Sequence, residues 1–367
     1  MAARLILVSV LLAASSTFAA PTYSITDLGT LGGSISDAYG VNDAGQVVGY
    51  STLAVSGVRG FLWSGGGLTD LGTLPGSTNS YGTNLNEAGQ VVGYSTFEDS
   101  SHSHAFLWYG GSFTDLGNLG GNYTRAYGIN EAGQVVGEGS LTAGVTHAFR
   151  YSGGSLTDLN TLGGSYSEAY DINDTGQIVG DSYITGNSAY HAFRYSGGSM
   201  TDLGVLSGHY SIAFGINASG DAVGYRSLTG DVSYRACRWS GGVMSDLPSL
   251  FAGASSNANA INSAGDVVGY SFLSGTGGAY HAFVYSGGAI ADLNSYLPTG
   301  SGWTLYEARD INDYGDVCGY GYSPSGQRHG FLMTRTDVAR ATIPEPSLAT
   351  LLLLALVPAL IVYRKRR

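Results

Sequence analysis

Histidine and arginine alternate at one recurring position of this 367-residue chain. Five of its seven histidines precede a small residue and a phenylalanine: His104, His147, His191, His281 and His329. Imidazoles at equivalent positions would form a metal site if their nitrogens met about 2.0–2.1 Å from one ion. However, Arg59 and Arg235 occupy the same position in two other copies, and arginine is not a metal ligand. We therefore predict a repeated structural hydrogen bond donated by His or Arg, and no metal.

Aspartates form a second series, each followed by leucine: Asp27, Asp70, Asp115, Asp158, Asp202, Asp246 and Asp292. Calcium takes 6–8 oxygens, usually from one loop, and the sequence has no dense Asp-x-Asp loop. Pairing of these carboxylates with the His/Arg series of a neighbouring repeat is a simpler hypothesis. It predicts that removing Asp115 and removing His104 have non-additive effects on stability.

Motifs for nucleophilic and cofactor chemistry are absent from the sequence. There is no Gly-x-Ser-x-Gly and no His-Glu-x-x-His, and the single lysine, Lys365, lies in the last four residues. Cys237 and Cys318 each replace an apolar residue, so we predict buried free thiols, with a bridge between them as the alternative. The sequence therefore predicts no catalytic residue and no cofactor.

The elements that carry these residues come from a repeat. The pattern Asn-x-x-Gly-(Gln/Asp)-x-(Val/Cys)-Gly occurs seven times, starting at Asn42, Asn86, Asn130, Asn173, Asn217, Asn262 and Asn312. Each copy contains four short strand signals (a to d), joined by Asn-containing and Gly-Gly turns. Four strands in about 44 residues is the size of one propeller blade.

The phase of the repeat predicts how its ends meet. Residues 23–28 form a lone strand d, whereas the seventh copy ends at strand c, residues 329–333. The first strand can complete the last blade and remove an open edge. We therefore predict an all-β fold, a seven-bladed β-propeller over residues 20–338 with strand a innermost; an open solenoid is the alternative.

The connections between strands b and c vary between copies and predict a ligand face. Tyrosine and acidic residues there suit sugar or protein recognition: Glu98, Asp99, Tyr183, Tyr190, Asp231, Tyr234 and Tyr280. The alternative is that these loops are only solvated and bind no ligand. Glu98, Asp99, Asp181 and Asp231 are also the carboxylates that a glycosidase on this scaffold would use. Copy seven, with the insert 298–303, departs most from the repeat; if the protein had an active site, it would be sought there and at these loops.

The histidine-containing segments resemble the HAF family of extracellular repeats. His104-Ala105-Phe106 and its equivalents at 147, 191 and 281 carry the similarity, His329-Gly330-Phe331 is a variant, and the copies at Arg59 and Arg235 depart from it. The resemblance covers residues 26–332. It implies an extracellular β-repeat protein without an assigned reaction.

Both ends of the chain have the composition of targeting segments. Arg4, the apolar residues 5–14 and the small residues up to Ala19 predict a signal peptide over residues 1–19, cleaved after Ala19. Residues 339–347 form a linker, and residues 348–363 an apolar segment that predicts a transmembrane helix. The final residues, 364–367, are all basic and predict a cytoplasmic end: Arg364, Lys365, Arg366 and Arg367.

The linker contains Pro344, Glu345 and Pro346. Pro-Glu-Pro, an apolar helix and a basic end together resemble a PEP-CTERM sorting signal, although a plain membrane anchor is the alternative. The resemblance implies a Gram-negative host, transient anchoring in the inner membrane, processing by an exosortase, and association with extracellular polysaccharide in a biofilm matrix.

Charge limits the choice of partner. Without Arg4 and the four terminal basic residues, the formal charge falls from −11 to about −16, so we predict no nucleic-acid partner. We predict a non-enzymatic surface or matrix protein that binds polysaccharide or protein. The alternative is a polysaccharide-active hydrolase or lyase.

Overall fold

The computed structural model describes residues 21–98, 102–142, 145–274 and 278–339, and the described residues up to Thr336 form one compact unit. Strand β1 spans Tyr23–Asp27. Two four-stranded antiparallel sheets follow. They consist of β2 (Gly32–Val41), β3 (Val47–Leu53), β4 (Val58–Ser64) and β5 (Gly67–Gly72), then β6 (Asn79–Leu85), β7 (Val91–Thr96), β8 (Ser103–Tyr109) and β9 (Ser112–Asp115).

The next eight strands share one sheet, because a single parallel pair, Thr146 with Tyr166, joins two four-stranded groups. The first group consists of β10 (Thr124–Ile129), β11 (Val135–Thr142), β12 (Val145–Ser152) and β13 (Ser155–Asp158). The second consists of β14 (Gly163–Ile172), β15 (Ile178–Ile184), β16 (Tyr190–Ser196) and β17 (Ser199–Asp202).

Two further four-stranded sheets and the last strands complete the order. They are β18 (Ser211–Ile216), β19 (Ala222–Ser227), β20 (Tyr234–Ser240) and β21 (Val243–Asp246), then β22 (Ser256–Ile261), β23 (Val267–Phe272), β24 (Tyr280–Ser286) and β25 (Ala289–Asp292). A 3₁₀ turn (Leu293–Tyr296) precedes β26 (Thr304–Ile311), β27 (Val317–Tyr322) and β28 (Arg328–Arg335).

The first strand completes the last sheet, as the repeat phase predicts. Strand β1 pairs antiparallel with β28, from Tyr23 opposite Arg335 to Asp27 opposite Phe331. The Thr22 and Thr336 hydroxyls hydrogen bond at 2.7 Å just beyond this pair. The chain ends of the sheet region therefore meet in one sheet, where the N-terminal strand covers the edge of β28 as the fourth strand.

Hydrogen bonds between the turns join each group of four strands to the next. The Nδ2 of Asn42 donates to the carbonyl of Asn86 at 3.2 Å. The same bond recurs from each repeat asparagine to the next, and from Asn312 it returns to Asn42 at 2.9 Å. Each Oδ1 also accepts the N–H four residues later, as from Gln46 to Asn42. The turns therefore form a closed circle at one end of the inner strands.

Apolar side chains fill the space between neighbouring sheets. Phe106 and Trp108 of β8 pack with Val48 of β3 and Leu71 of β5, from the preceding sheet. Burial of such rings removes about 150–250 Å² of surface each from water. Cys237 and Cys318 lie in equivalent clusters as buried free thiols, as predicted.

The terminal predictions fall largely outside the described residues. These include Ala19, Pro344, Glu345, Pro346, the apolar segment 348–363 and the basic residues 364–367. Within the described part, no helix is long and apolar enough to cross a membrane.

Candidate functional site

A β-bulge in each innermost strand creates the main cavity. In β2 the register shifts between Ala38 and Gly40, so Tyr39 has no paired residue on β3. The residue three positions before each repeat asparagine occupies the same place, and all of them line one cavity: Tyr39, Thr83, Tyr127, Tyr170, Phe214, Asn259 and Arg309. The bulge therefore turns an otherwise regular strand into the wall of a central cavity.

The cavity has a volume of about 590 Å³ and lies towards one end of the inner strands. Phe272 at the end of β23 and Tyr280 at the start of β24 belong to its lining. The connections from the second to the third strand of each group lie at this end, and we call it the loop face. The opposite end is the circle of asparagine turns, which is not part of the lining.

Small residues bring the inner strands close together. A Cβ on Gly128 would lie 2.8 Å from the Tyr170 carbonyl oxygen, and one on Gly215 would lie 3.0 Å from that of Asn259. Gly128 and Gly215 therefore lie at contacts between neighbouring inner strands. The sequence analysis did not identify the bulged side chains beside them, which the signal Tyr-Gly-Val or Tyr-Gly-Ile before the repeat asparagine could have indicated.

One side of the cavity is an aromatic wall, formed by Tyr81, Tyr94, Tyr127, Tyr170 and Phe214. Tyr81 and Tyr94 stack at 4.9 Å between ring centroids, and Tyr170 lies 4.9 Å from Phe214. Burial raises the pKa of Tyr94 to about 12, and that of Tyr127 is also raised by burial and by neighbouring carboxylates. These hydroxyls stay neutral at physiological pH, so the wall is apolar and uncharged.

The other side is a hydrogen-bonded polar wall of four residues. Asn257 Nδ2 donates to Asn259 Oδ1 at 3.1 Å, and Asn259 Nδ2 donates to Glu307 Oε1 at 3.1 Å. Arg309 donates to the other Glu307 oxygen at 3.4 Å, and its guanidinium lies 4.2 Å from the Tyr39 ring centroid. The cavity thus has two chemically different walls.

Two enclosed carboxyls lie deeper in the same cavity. Asp171 accepts the backbone N–H groups of Ile172 and Ile216 at 2.8 and 2.9 Å. Asp310 accepts those of Ile311 and Val41 at 2.9 and 2.8 Å. Burial raises the pKa of Asp171 to about 7 and that of Asp310 to about 6, although these N–H groups oppose the shift. Each carboxyl joins two inner strands.

A smaller side pocket of about 270 Å³ shares Tyr170 with the main cavity. Glu168 of β14 and Asp181 of β15 lie directly opposite each other in the sheet. The hydroxyls of Tyr166 and Tyr170 donate to Glu168 at 2.6 and 2.9 Å. Burial and Glu168 raise the pKa of Asp181 well above its usual value, and burial with the same neighbour raises that of Glu138 to about 7.

This pocket corrects one expectation. Asp181 was predicted on a loop, but it lies within strand β15 and is buried. In copy seven, Trp303 of the insert packs against Phe331, and Glu307 and Arg309 of β26 line the main cavity. Carboxylates also interrupt the repeat at Glu138 and Asp181, where other copies carry tyrosine.

The histidine and aspartate series pair, but within a sheet rather than between sheets. His104 Nδ1 lies 2.8 Å from an oxygen of Asp115 on the adjacent strand. Four equivalent pairs lie at 2.6–3.0 Å: His147 with Asp158, His191 with Asp202, His281 with Asp292, and His329 with Asp27. The blade-to-blade arrangement was therefore wrong.

The arginine copies do not follow this pairing. Arg59 donates to the carbonyls of Val58 and Thr78, and the Asp70 carboxylate accepts the N–H of Gly72. Asp246 of β21 pairs with Arg226 through two bonds of 2.7 Å, and this partner lies on β19, outside the predicted series. Within the described residues, no group of three or more His, Cys, Asp or Glu could hold a metal ion.

The predicted ligand-face residues separate into three groups. Tyr183 and Tyr190 line the side pocket, and Tyr280 lines the main cavity. Tyr234 hydrogen bonds Tyr270, a cavity residue, at 3.2 Å. These four tyrosines lie in strands, not in loops.

The remaining three do not line either cavity. Asp231 accepts hydrogen bonds from Ser227 and from the backbone N–H of His209, which lower its pKa, so it ties its own loop to the connection between β17 and β18. Glu98 is exposed, and Asp99 lies outside the described residues. Loop position alone therefore did not identify the cavity.

Comparison with known proteins adds information on the fold. No sequence-family profile matches the chain, and no curated protein does. The β-propeller domain of the trilobed protease from Pyrococcus furiosus superimposes with a TM-score of 0.53 at 11% identity, over 86% of this chain and 98% of that one. Its reported open velcro topology is a property of that protein.

Two further solved structures are similar at a lower level. TolB from Acinetobacter baumannii gives a TM-score of 0.42 at 11% identity, over 84% of this chain and 65% of that one. A gluconolactonase from Xanthomonas campestris gives 0.37 at 12% identity, over 86% and 95%. At these identities the comparison concerns the fold alone, and that argument rests on the Pyrococcus domain. The sheets of this chain form a β-propeller.

Proposed function

We propose that this protein is an exported, non-enzymatic saccharide-binding protein, and that its ligand enters the central cavity from the loop face. The observation that carries the proposal is the tyrosine-rich cavity of about 590 Å³. Pyranose rings have apolar C–H faces that pack on aromatic rings, and polar edges that require hydrogen bonds. A mostly preformed cavity with an aromatic wall and a polar wall suits both properties.

The proposal includes a ring of seven blades. The sevenfold sequence pattern supports it, together with the circle of hydrogen bonds from Asn42 through Asn312 and back. The pairing of β1 with β28 supports closure of that ring.

Export, anchoring and sorting remain part of the proposal on sequence grounds. The signal-type segment ending at Ala19 and the Pro-Glu-Pro segment at 344–346 support delivery to the cell surface or matrix of a Gram-negative bacterium, with exosortase as the processing partner. A matrix location would expose the cavity to extracellular polysaccharide. Detecting cleavage near Pro344 by mass spectrometry of the secreted protein tests this part.

Binding is tested by a glycan array followed by titration calorimetry with each positive glycan. Tyr81→Ala should weaken binding about tenfold, which corresponds to about 1.4 kcal/mol, because it removes one stacked ring from the aromatic wall. Tyr81→Phe keeps the ring and should retain binding. Tyr109→Ala is the matched control, since Tyr109 is exposed at the end of β8 away from the loop face. Absence of glycan binding, or equal effects of Tyr81→Ala and Tyr109→Ala, would contradict the proposal.

A second candidate function is hydrolysis of a polysaccharide in the side pocket. The opposed carboxyls favour it, because hydrolysis of a glycosidic bond uses a pair of carboxyl groups, and burial and the neighbouring Glu168 raise the pKa of Asp181 well above its usual value, as suits a general acid. Reducing-end release from bound glycans is the measurement. Release that disappears in both Asp181→Asn and Glu168→Gln would support hydrolysis over simple binding.

A further inference from the structure

We propose that the central cavity selects an uncharged saccharide, and that the Asn257 side-chain oxygen accepts a hydrogen bond from it. This inference rests on the saccharide-binding function proposed above and specifies its ligand class. Two independent observations carry it: an unused buried acceptor on the polar wall and the balance of charges around the cavity.

The hydrogen-bond chain of the polar wall fixes the orientation of its amides. The Glu307 carboxylate is an acceptor only, so Asn259 must turn its Nδ2 towards it, at 3.1 Å. That nitrogen also donates to the Ala308 carbonyl at 2.8 Å. Asn259 Oδ1 is thereby left as the acceptor for Asn257, at 3.1 Å. Because Asn257 uses its Nδ2 in that hydrogen bond, its own Oδ1 must point away from the hydrogen-bonded side chains of Asn259 and Glu307.

This Oδ1 atom has no hydrogen-bond partner, although Asn257 is only 6% exposed and belongs to the cavity lining. An unpaired buried acceptor has lost its hydrogen bonds to water without replacement, and a ligand hydroxyl or amide N–H would restore one. Neither an apolar molecule nor a carboxylate can supply such a donor. The atom therefore indicates a ligand with donor groups on its polar edge.

The charges of the lining disfavour an acidic sugar. Arg309 is its one cation among the described residues, and Glu307 and Tyr39 already engage this guanidinium. Asp171 and Asp310 add carboxyls that have no cationic partner of their own in the described part of the chain. A uronic acid would bring another negative charge into an enclosed site where repulsion is weakly screened. A neutral sugar avoids this repulsion and still satisfies Asn257.

The experiment compares two hexasaccharides of equal length, neutral cellohexaose and anionic hexagalacturonate, by calorimetry on the purified protein. We expect cellohexaose to bind at least tenfold more tightly at 0.15 M NaCl. Asn257→Ala should weaken cellohexaose binding at least fivefold. Asn118→Ala, which changes an exposed asparagine outside the cavity lining, should not weaken it.

A charge variant gives a readout that misfolding cannot imitate. Glu307→Gln should raise the ratio of the affinity for hexagalacturonate to that for cellohexaose severalfold, because it removes one negative charge from the lining. Equal or tighter binding of hexagalacturonate by the native protein would overturn the inference and leave saccharide binding intact. If millimolar tetramethylammonium chloride displaces more cellohexaose than equimolar NaCl does, the cavity is a cation site and the inference is overturned. Failure of both hexasaccharides and the whole glycan array to bind would instead contradict the proposed function.

Discussion

Asp171 makes the stability of this protein depend on pH in a defined direction. Burial places its pKa at about 7 in the folded protein, against an ordinary value of 3.8. The folded state therefore binds the proton more tightly than the unfolded chain does. Between these two values the unfolded chain loses its proton first, so the free energy of unfolding falls as pH rises. Below pH 3.8 both states are protonated and the penalty vanishes.

Each tenfold difference in proton affinity corresponds to about 1.4 kcal/mol, so the full difference between the folded and unfolded pKa values changes the unfolding free energy by about 4 kcal/mol. About 2.6 kcal/mol of it falls between pH 5 and pH 8 by the linkage relation. Because Asp171 lines the cavity and retains some contact with solvent, we expect about 1.5–2.5 kcal/mol in practice.

Asp171→Asn removes the ionisation and has a natural template in this chain. Asn84 occupies the equivalent position of another repeat and accepts the N–H of Leu85 at 2.8 Å, as Asp171 accepts that of Ile172. The amide cannot accept the second N–H, from Ile216, and losing it costs about 1–3 kcal/mol at every pH. That cost cancels when one variant is compared with itself at two pH values.

The assay is urea unfolding followed by circular dichroism at pH 5 and pH 8. On going from pH 5 to pH 8, the unfolding free energy of Asp171→Asn should rise by about 1.5–2.5 kcal/mol relative to that of the native protein. Asp70→Asn is the control, since Asp70 is exposed and its role as acceptor for the Gly72 N–H can be taken by an amide oxygen. A relative stability that changes by less than about 0.5 kcal/mol would refute an ionisable buried carboxyl at position 171.

Three further predictions concern the framework. A double-mutant cycle on His104→Ala and Asp115→Ala should give a coupling energy of about 0.5–1 kcal/mol, small because both side chains are partly exposed; strictly additive losses would contradict the pairing. Gly224→Ala should lower the unfolding free energy by at least about 3 kcal/mol in the same urea assay, because its Cβ would lie 1.9 Å from a backbone oxygen. Gly67→Ala is the control: its Cβ would meet open space, so this change should cost little. Deletion of residues 21–28 should lower Tm by more than about 10 °C, since it exposes the edge of β28, and excess synthetic peptide of that sequence should partly restore Tm by mass action.

Most of the framework could be predicted from the sequence because its signals are local and repeated. The hairpin turns are an example: Gly153 and Gly154 have φ values of 58° and 88°, which glycine adopts without strain, and they join β12 to β13 as predicted. The unmatched strand at the N-terminus likewise indicated its partner β28.

The central cavity could not be predicted in the same way. It depends on bulges, which shift side chains such as Tyr39 and Arg309 by one register position and do not interrupt the alternation of a strand in any obvious manner. The Glu168–Asp181 pair was also missed. Its members come from different strands and meet only through the sheet register, and Asp181 was assigned to a loop because it follows the last glycine of the repeat pattern.

The pairing of β1 with β28 also has a consequence for folding. Thr22 and Thr336, which hydrogen bond at the end of this pair, are 314 residues apart in the sequence. Each of the other four-stranded groups consists of consecutive strands, so its contacts can form as soon as that segment is available. The group that includes β1 must wait until almost the whole chain has been synthesised, and loop closure on this scale is slow. We therefore expect the pairing of β1 with β28 to be the last and rate-limiting event, with β1 exposed as an unpaired strand until then. Chains truncated before β28 should aggregate through that strand.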